Sequence, residues 1–146
     1  MDSTIKTLHS YWAYLVILIL FAAVINALIG LLGKKEYGAK DFRVSLFTLI
    51  VSHIQLLIGL ILYFVSPMFD FWNSMGSEVM KTASVRLYLV EHPLINIIAI
   101  VLITIGYSKH KKKLTSASKF KTIFIFYALA LICLLSRIPW DVWPRF

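Results

Sequence analysis

Four long hydrophobic blocks constrain this chain more than any other feature of its sequence. Each block is long enough to cross a hydrocarbon core of roughly 30 Å, which takes about 20 residues of helix. Backbone groups in lipid must find their hydrogen bonds within the segment, so helix is the expected conformation. The predicted spans cover about residues 8–32, 44–66, 86–107 and 122–140.

The composition indicates a membrane protein. Of the 146 residues, 60% are hydrophobic and 15% are charged, whereas a soluble domain has about 45–50% apolar and about 25% charged residues. These values exclude a cytosolic globular domain and a disordered chain. The length suits one domain, and the single cysteine, Cys133, has no partner for an intramolecular disulfide.

Positive charge is concentrated in two short connections between the blocks. Ten of the fifteen Lys and Arg residues lie in segments 33–43 and 108–121, and the others, Arg145 among them, are scattered over the remaining connection and the termini. The positive-inside rule therefore places the two basic connections in the cytoplasm and both termini on the outer, periplasmic side. Lysines beside membrane spans are expected to contact anionic lipid, and no nucleic-acid partner is expected.

These features predict the fold class. Short connections make neighbouring helices antiparallel, so the expected structure is an all-α membrane protein. Its single domain is an up-down-up-down bundle of four transmembrane helices, and its expected location is the bacterial inner membrane.

Histidines within the spans give the functional prediction. An ionisable side chain at the bilayer centre costs about 2.5–3.5 kcal/mol and is therefore a functional candidate. His9, His53 and His92 lie on three different predicted helices. Facing helices of a bundle are where cofactor sites are built, and neutral imidazole is the usual axial ligand of haem iron. The sequence therefore predicts haem b, with another transition metal as the alternative.

Two pairings of these histidines remain open at this point. His53 with His92 is the favoured axial pair, and His9 with His92, on diagonal helices, is the alternative. Counting along the helices puts His53 and His92 at depths that differ by roughly 12 Å, and His9 and His92 at depths that differ by roughly 9 Å. Both differences are large for two ligands of one haem.

Other polar residues have simpler expected roles. Arg137 and Arg86 are placed to neutralise haem propionates, and Glu91 is expected to pair with Arg137. His110 stands among lysines and is expected to be solvated. The connection from Pro67 to Val85 is expected to hold a short surface helix.

Two amides inside the spans are expected to hydrogen-bond between helices. These amides are Gln55 and Asn96. Asn96 shares a helix face with His92, so Asn96 could also orient the His92 ring.

Several strings of residues resemble a known family. They are His9-Ser10, Phe47-Thr48-Leu49-Ile50, His53-Ile54-Gln55-Leu56-Leu57-Ile58-Gly59, Glu91-His92-Pro93 and Arg137-Ile138-Pro139-Trp140. Over nearly the whole chain they look like the small four-helix cytochrome b-like membrane proteins of Bacteroidota. The resemblance implies haem binding, with His9, His53, Glu91, His92 and Arg137 as the family's polar positions. The family has an Arg shortly after the first His-Ser, where this chain reads Tyr11-Trp12-Ala13-Tyr14.

The sequence thus predicts a small b-type cytochrome that transfers electrons within the membrane, an electron carrier more than a stand-alone enzyme. Its expected partners are lipid and other membrane subunits or redox proteins. The alternative is a structural or accessory subunit of a larger inner-membrane complex. A weaker third possibility is a proton relay through the same histidines. No nucleophile elbow, Walker loop, zinc-type Cys pair or HExxH motif is present, so nothing indicates hydrolysis or phosphoryl transfer.

Overall fold

The structure, a computed structural model, describes residues 2–144, and Arg145 lies outside them. All regular elements within this range are helical, which confirms the predicted all-α class. Four helices are long and apolar enough to cross a membrane, and we call them the first to the fourth helix. They are Asp2–Leu32, Ala39–Val65, Ala83–Lys111 and Ser116–Ser136.

The four long helices pack side by side, the first and the third each against the second and the fourth. Between the first two helices, Trp12 Nε1 donates to the Val51 carbonyl over 2.8 Å, and Asn26 Nδ2 donates to Asp41 over 2.9 Å. Residue numbers rise along one helix as they fall along the other, so these neighbours run antiparallel. Paired contacts between the other neighbours follow the same order.

Glycines allow close approach between helices in the core. A Cβ atom at Gly30 would overlap the Phe120 ring of the fourth helix, and a Cβ at Gly106 would overlap Phe126. Phe120 is 1% exposed. Asn26 lies one turn before Gly30, so the face with these two residues packs closely against its neighbours.

A π-helical segment, Leu87–Glu91, interrupts the third helix, which the sequence presents as one regular span. Pro93 is the cause, because it has no N–H to donate to the Leu89 carbonyl one turn earlier. Tyr63 of the second helix donates its hydroxyl to that carbonyl over 2.9 Å, and Trp72 Nε1 donates to the Tyr63 hydroxyl over 3.1 Å. The bond that proline removes is thus replaced from outside the helix.

The connection between the second and third helices is folded. It contains the helical turns Pro67–Asp70, Phe71–Met75 and Gly76–Lys81, which confirms the predicted short helix. Val79 is fully buried at the centre of a small apolar cluster that this connection makes with the start of the third helix.

The fourth helix ends at Ser136, four residues before its predicted end. Pro139 favours this stop, because the residue before a proline disfavours helical conformation. The chain then folds back on the first helix, where Trp143 Nε1 donates to the Ser10 hydroxyl over 2.8 Å. Trp143 therefore packs against Ser10 and Tyr14 of the first helix.

Candidate functional site

Two of the three predicted histidines meet in the structure. The rings of His9 and His92 have centres 6.1 Å apart, with their planes at 78°. The first and third helices that carry them are diagonal in the bundle. We call these two residues the histidine pair.

The end of the fourth helix orients His92. Its Nδ1 lies 2.9 Å from the Arg137 carbonyl oxygen. That carbonyl follows the last helical residue and so has no helical donor of its own. A carbonyl can only accept, and its contact is the shorter of the two that Nδ1 makes, so we assign the ring proton to Nδ1 and a lone pair to Nε2. Asn96 Nδ2 lies 3.2 Å from His92 Nδ1 and donates to the His92 backbone carbonyl over 2.6 Å, so the expected contact of Asn96 with the ring is present.

His9 Nδ1 and the side-chain oxygen of the neighbouring Gln55 are both unpaired. The His9 ring packs against Gly59, where an added Cβ would lie 3.2 Å from Cε1. Gln55 Nε2 donates to the His9 carbonyl over 2.9 Å, which confirms the predicted interhelical role of Gln55. Among the buried side-chain atoms that the structure describes, three have no partner: His9 Nδ1, Gln55 Oε1 and Ser52 Oγ. This region can therefore hydrogen-bond a further group or water.

Two arginines hold Glu91 at the same end of the bundle. Glu91 Oε1 lies 3.6 Å from Arg86 Nε and 3.9 Å from Arg137 Nε. The predicted pairing with Arg137 is present, and Arg86 is a second partner. With two guanidinium groups for one carboxylate, this cluster keeps a net positive charge beside His92.

His53 lies apart from the histidine pair. Its Nδ1 is 2.8 Å from the Leu49 carbonyl oxygen and its Nε2 is 3.4 Å from Thr104 Oγ1. Thr104 follows His92 by twelve residues, about 18 Å along the third helix. The structure therefore assembles the second of the two predicted pairs and leaves His53 and His92 well separated.

The prediction that His110 is solvated is wrong. This residue is 1% exposed, and its Nε2 lies 2.8 Å from the Tyr37 hydroxyl. The segment after the first helix folds over it, where the Tyr37 N–H donates to Ser116 Oγ over 2.9 Å. Burial raises the pKa of Tyr37 to about 12. The one sequence signal was the spacing from Tyr107, which places both rings on one helix face.

No match to this chain was found among protein-family models, curated proteins or solved structures. Within residues 2–144, no three His, Cys, Asp or Glu side chains lie close enough together to hold a metal ion. Two imidazoles, one of them fixed by a carbonyl, are the ligands that the histidine pair offers.

Proposed function

We propose that this chain is a small b-type cytochrome in which His9 and His92 are the axial ligands of haem. The distance of 6.1 Å between the ring centres carries the proposal. Two imidazoles bound on opposite sides of a metal, each at about 2 Å, have ring centres about 6 Å apart. Around a tetrahedral metal the centres would be about 5 Å apart. The observed separation would suit two histidines that together hold one iron atom, as in haem.

The hydrogen bonds of the pair support the same assignment. A metal-bound histidine commonly donates its other ring N–H to a carbonyl, which fixes the ring and its tautomer. The Arg137 carbonyl does this for His92 and leaves Nε2 free for iron. For His9, Nδ1 has no partner, and the Oε1 of Gln55, whose Nε2 donates to the His9 carbonyl, is also unpaired.

The charged cluster suits the propionates. Arg86 and Arg137 together carry one more positive charge than Glu91 neutralises. Either guanidinium can bind a carboxylate through two parallel hydrogen bonds. The positive field also favours the more electron-rich state of a nearby redox centre.

The proposed setting is the bacterial inner membrane. The four helices cross it up-down-up-down, with both termini periplasmic, because the lysine-rich connections lie at the opposite end from the histidine pair. A bound haem supplies one-electron redox chemistry. In this chain, the two histidines would bind the haem iron, the two arginines would compensate the charge of the haem propionates, and the apolar helices would surround the haem. Partners then come from within the membrane, either lipid-soluble carriers or other subunits.

Absorption spectroscopy on the purified full-length protein tests this proposal. A reduced-minus-oxidised haem spectrum with stoichiometric iron is expected. His9→Ala and His92→Ala should each abolish the low-spin spectrum, because each removes one axial ligand. His53→Leu is the matched control and should retain it. Thermal unfolding of each variant separates loss of ligand from loss of fold.

Two results would contradict the proposal. One is a protein without haem or iron after expression with a haem precursor. The other is equal loss of haem from all three histidine variants. Recovery of haem-free protein only together with other membrane proteins would instead support the role of an accessory subunit.

A further inference from the structure

A glycine of the second helix lies against the ring of His9. A Cβ atom added at Gly59 would lie 3.2 Å from His9 Cε1 and 3.6 Å from His9 Nδ1. The first distance is shorter than nine in ten contacts of real Cβ atoms. Glycine is less favourable than alanine in the interior of a helix, and Gly59 lies within Ala39–Val65. The missing side chain therefore makes room for the His9 ring.

Two hydrogen bonds join the first and second helices next to this contact. Gln55 Nε2 donates to the His9 carbonyl over 2.9 Å, and Trp12 Nε1 donates to the Val51 carbonyl over 2.8 Å. Gln55 lies one turn before Gly59, so both residues contact His9 from the same helix face. Separation of the two helices would break these bonds. A side chain at position 59 would therefore displace the His9 ring instead of the helix.

Packing orients His9, whereas a hydrogen bond orients His92. The Arg137 carbonyl fixes the His92 ring, but His9 Nδ1 is buried without a partner. The edge of His9 formed by Cε1 and Nδ1 faces Gly59, so Nε2 is the ring nitrogen farther from the second helix. The planes of the two rings make an angle of 78°. This angle therefore depends on Gly59 through His9 and on Arg137 through His92.

We propose that Gly59 is a positioning residue that seats His9 for haem binding. It turns Nε2 of His9 away from the second helix as the ligand atom, and it holds the ring plane nearly perpendicular to that of His92. This role rests on the proposed function, in which His9 is an axial ligand. Gly59 acts only through the His9 ring.

The angle between two axial imidazoles has a spectroscopic signature. Parallel imidazole planes interact unequally with two d orbitals of low-spin ferric iron and split their energies. Perpendicular planes interact with both orbitals alike, so the energies stay close and the electron paramagnetic resonance (EPR) signal is strongly anisotropic. A methyl group that turned the His9 ring would change this signal without removing a ligand. Loss of the fold or of a ligand would instead reduce the amount of low-spin haem.

EPR of the full-length protein loaded with haem tests the role of Gly59. The wild type should give the strongly anisotropic low-spin signal, and Gly59→Ala should shift its largest g value while both ligands stay bound. Gly38→Ala is the matched control, because a Cβ there would meet only Asp41 Oδ2 at 3.9 Å, and it should keep the wild-type signal. Thermal unfolding in the same detergent checks that each variant is folded.

Solid-state nuclear magnetic resonance on the haem-free protein gives a readout that needs no cofactor. Protein with ¹³C-labelled histidine and glycine in lipid nanodiscs should show a cross-peak between His9 Cε1 and Gly59 Cα. His9→Asn identifies this cross-peak by removing it. Gly59→Ala should shift the ring resonances of His9 and leave those of His53 unchanged.

Three results would overturn the inference. They are an unchanged EPR signal in Gly59→Ala, an equal change of the signal in Gly38→Ala, and a wild-type protein without the cross-peak between His9 and Gly59. Haem content is measured on the same preparations. A protein that shows the cross-peak but binds no haem would uphold the seat of His9 while the proposed function fails.

Discussion

The Nδ1 atom of His92 lies 2.9 Å from the backbone carbonyl oxygen of Arg137. One residue thus contributes twice to this end of the bundle, through its carbonyl to the ring and through its guanidinium to Glu91. Side-chain substitution can separate the two roles, because the carbonyl remains in every variant.

Arg137→Leu should lower the midpoint potential of the haem while His92 stays bound. Removal of a nearby cation disfavours the reduced, more electron-rich state. The cost in stability should stay below about 1 kcal/mol, because the pair is partly exposed and Arg86 still holds Glu91. Redox titration and thermal unfolding measure the two effects. If Arg137→Leu and its combination with Glu91→Leu both keep the wild-type potential, Arg137 does not act on the cofactor.

Gln55→Glu should lower the same potential by another route. A carboxylate close to His9 Nδ1 would make the imidazole a stronger ligand and so favour the oxidised iron. Gln55→Leu should cost about 1 kcal/mol of stability, because the bond to the His9 carbonyl is lost. Redox titration of Gln55→Glu is the decisive measurement. An unchanged potential would show that Gln55 is only a link between helices.

Tyr63→Phe should destabilise the protein by about 1–3 kcal/mol, because the Leu89 carbonyl loses the donor that replaces the one missing at Pro93. Tyr88→Phe, on a half-exposed ring, is the matched control. Pro93→Ala restores a backbone N–H, so it should reduce the cost of Tyr63→Phe in a double-mutant cycle. Additive losses in thermal unfolding would argue against the compensation.

Gly30→Ala should cost about 1–3 kcal/mol, because its methyl group overlaps the Phe120 ring in a packed interior. Gly38→Ala provides the comparison, since a Cβ there meets only Asp41 Oδ2 at 3.9 Å. Thermal unfolding of both variants in the same detergent measures the difference. Equal stability would mean that the first and fourth helices do not approach as closely as described.

Tyr37 should make stability fall at alkaline pH. Its pKa is raised to about 12 by burial, above the value of about 10 for an unfolded chain. The folded state then holds the phenol proton more tightly, so stability present below pH 10 is lost as the pH rises from 10 to 12. Unfolding of wild type and Tyr37→Phe across this range tests it. A variant with the same alkaline decline would rule Tyr37 out as the source.

Residue type and spacing were enough to predict the helices and the polar candidates, because apolar length and charge placement are local properties of the chain. The pairing of the histidines was harder to predict. Depth counted along the sequence assumes that every span starts at the same level. The first helix begins at Asp2, six residues before its predicted start, which moves its midpoint towards His9, and the His9 ring lies at the level of the His92 ring.

The orientation of these side chains depends on contacts distant in sequence. His110 stands in a basic segment, and only the fold of the chain around Tyr37 buries it. The partner of His92 is a backbone carbonyl, which every residue has, so residue type could not identify it. The partner of His53 Nε2 is Thr104, fifty-one positions away.

The π-helical segment acts as a one-residue insertion in the third helix. Each of its turns holds about one residue more than an α-turn, so the chain before it is rotated by about 100° relative to a continuous α-helix. Arg86 precedes the segment and His92 follows it. In an unbroken α-helix, Arg86 and Glu91 are five residues apart and would lie about 140° apart around the axis. The π-helical segment therefore keeps Arg86 on the face of Glu91, where the two side chains are 3.6 Å apart. The part of the third helix before the segment is thus positioned by the contact of Arg86 with Glu91, and the part after it by the contact of His92 with the Arg137 carbonyl.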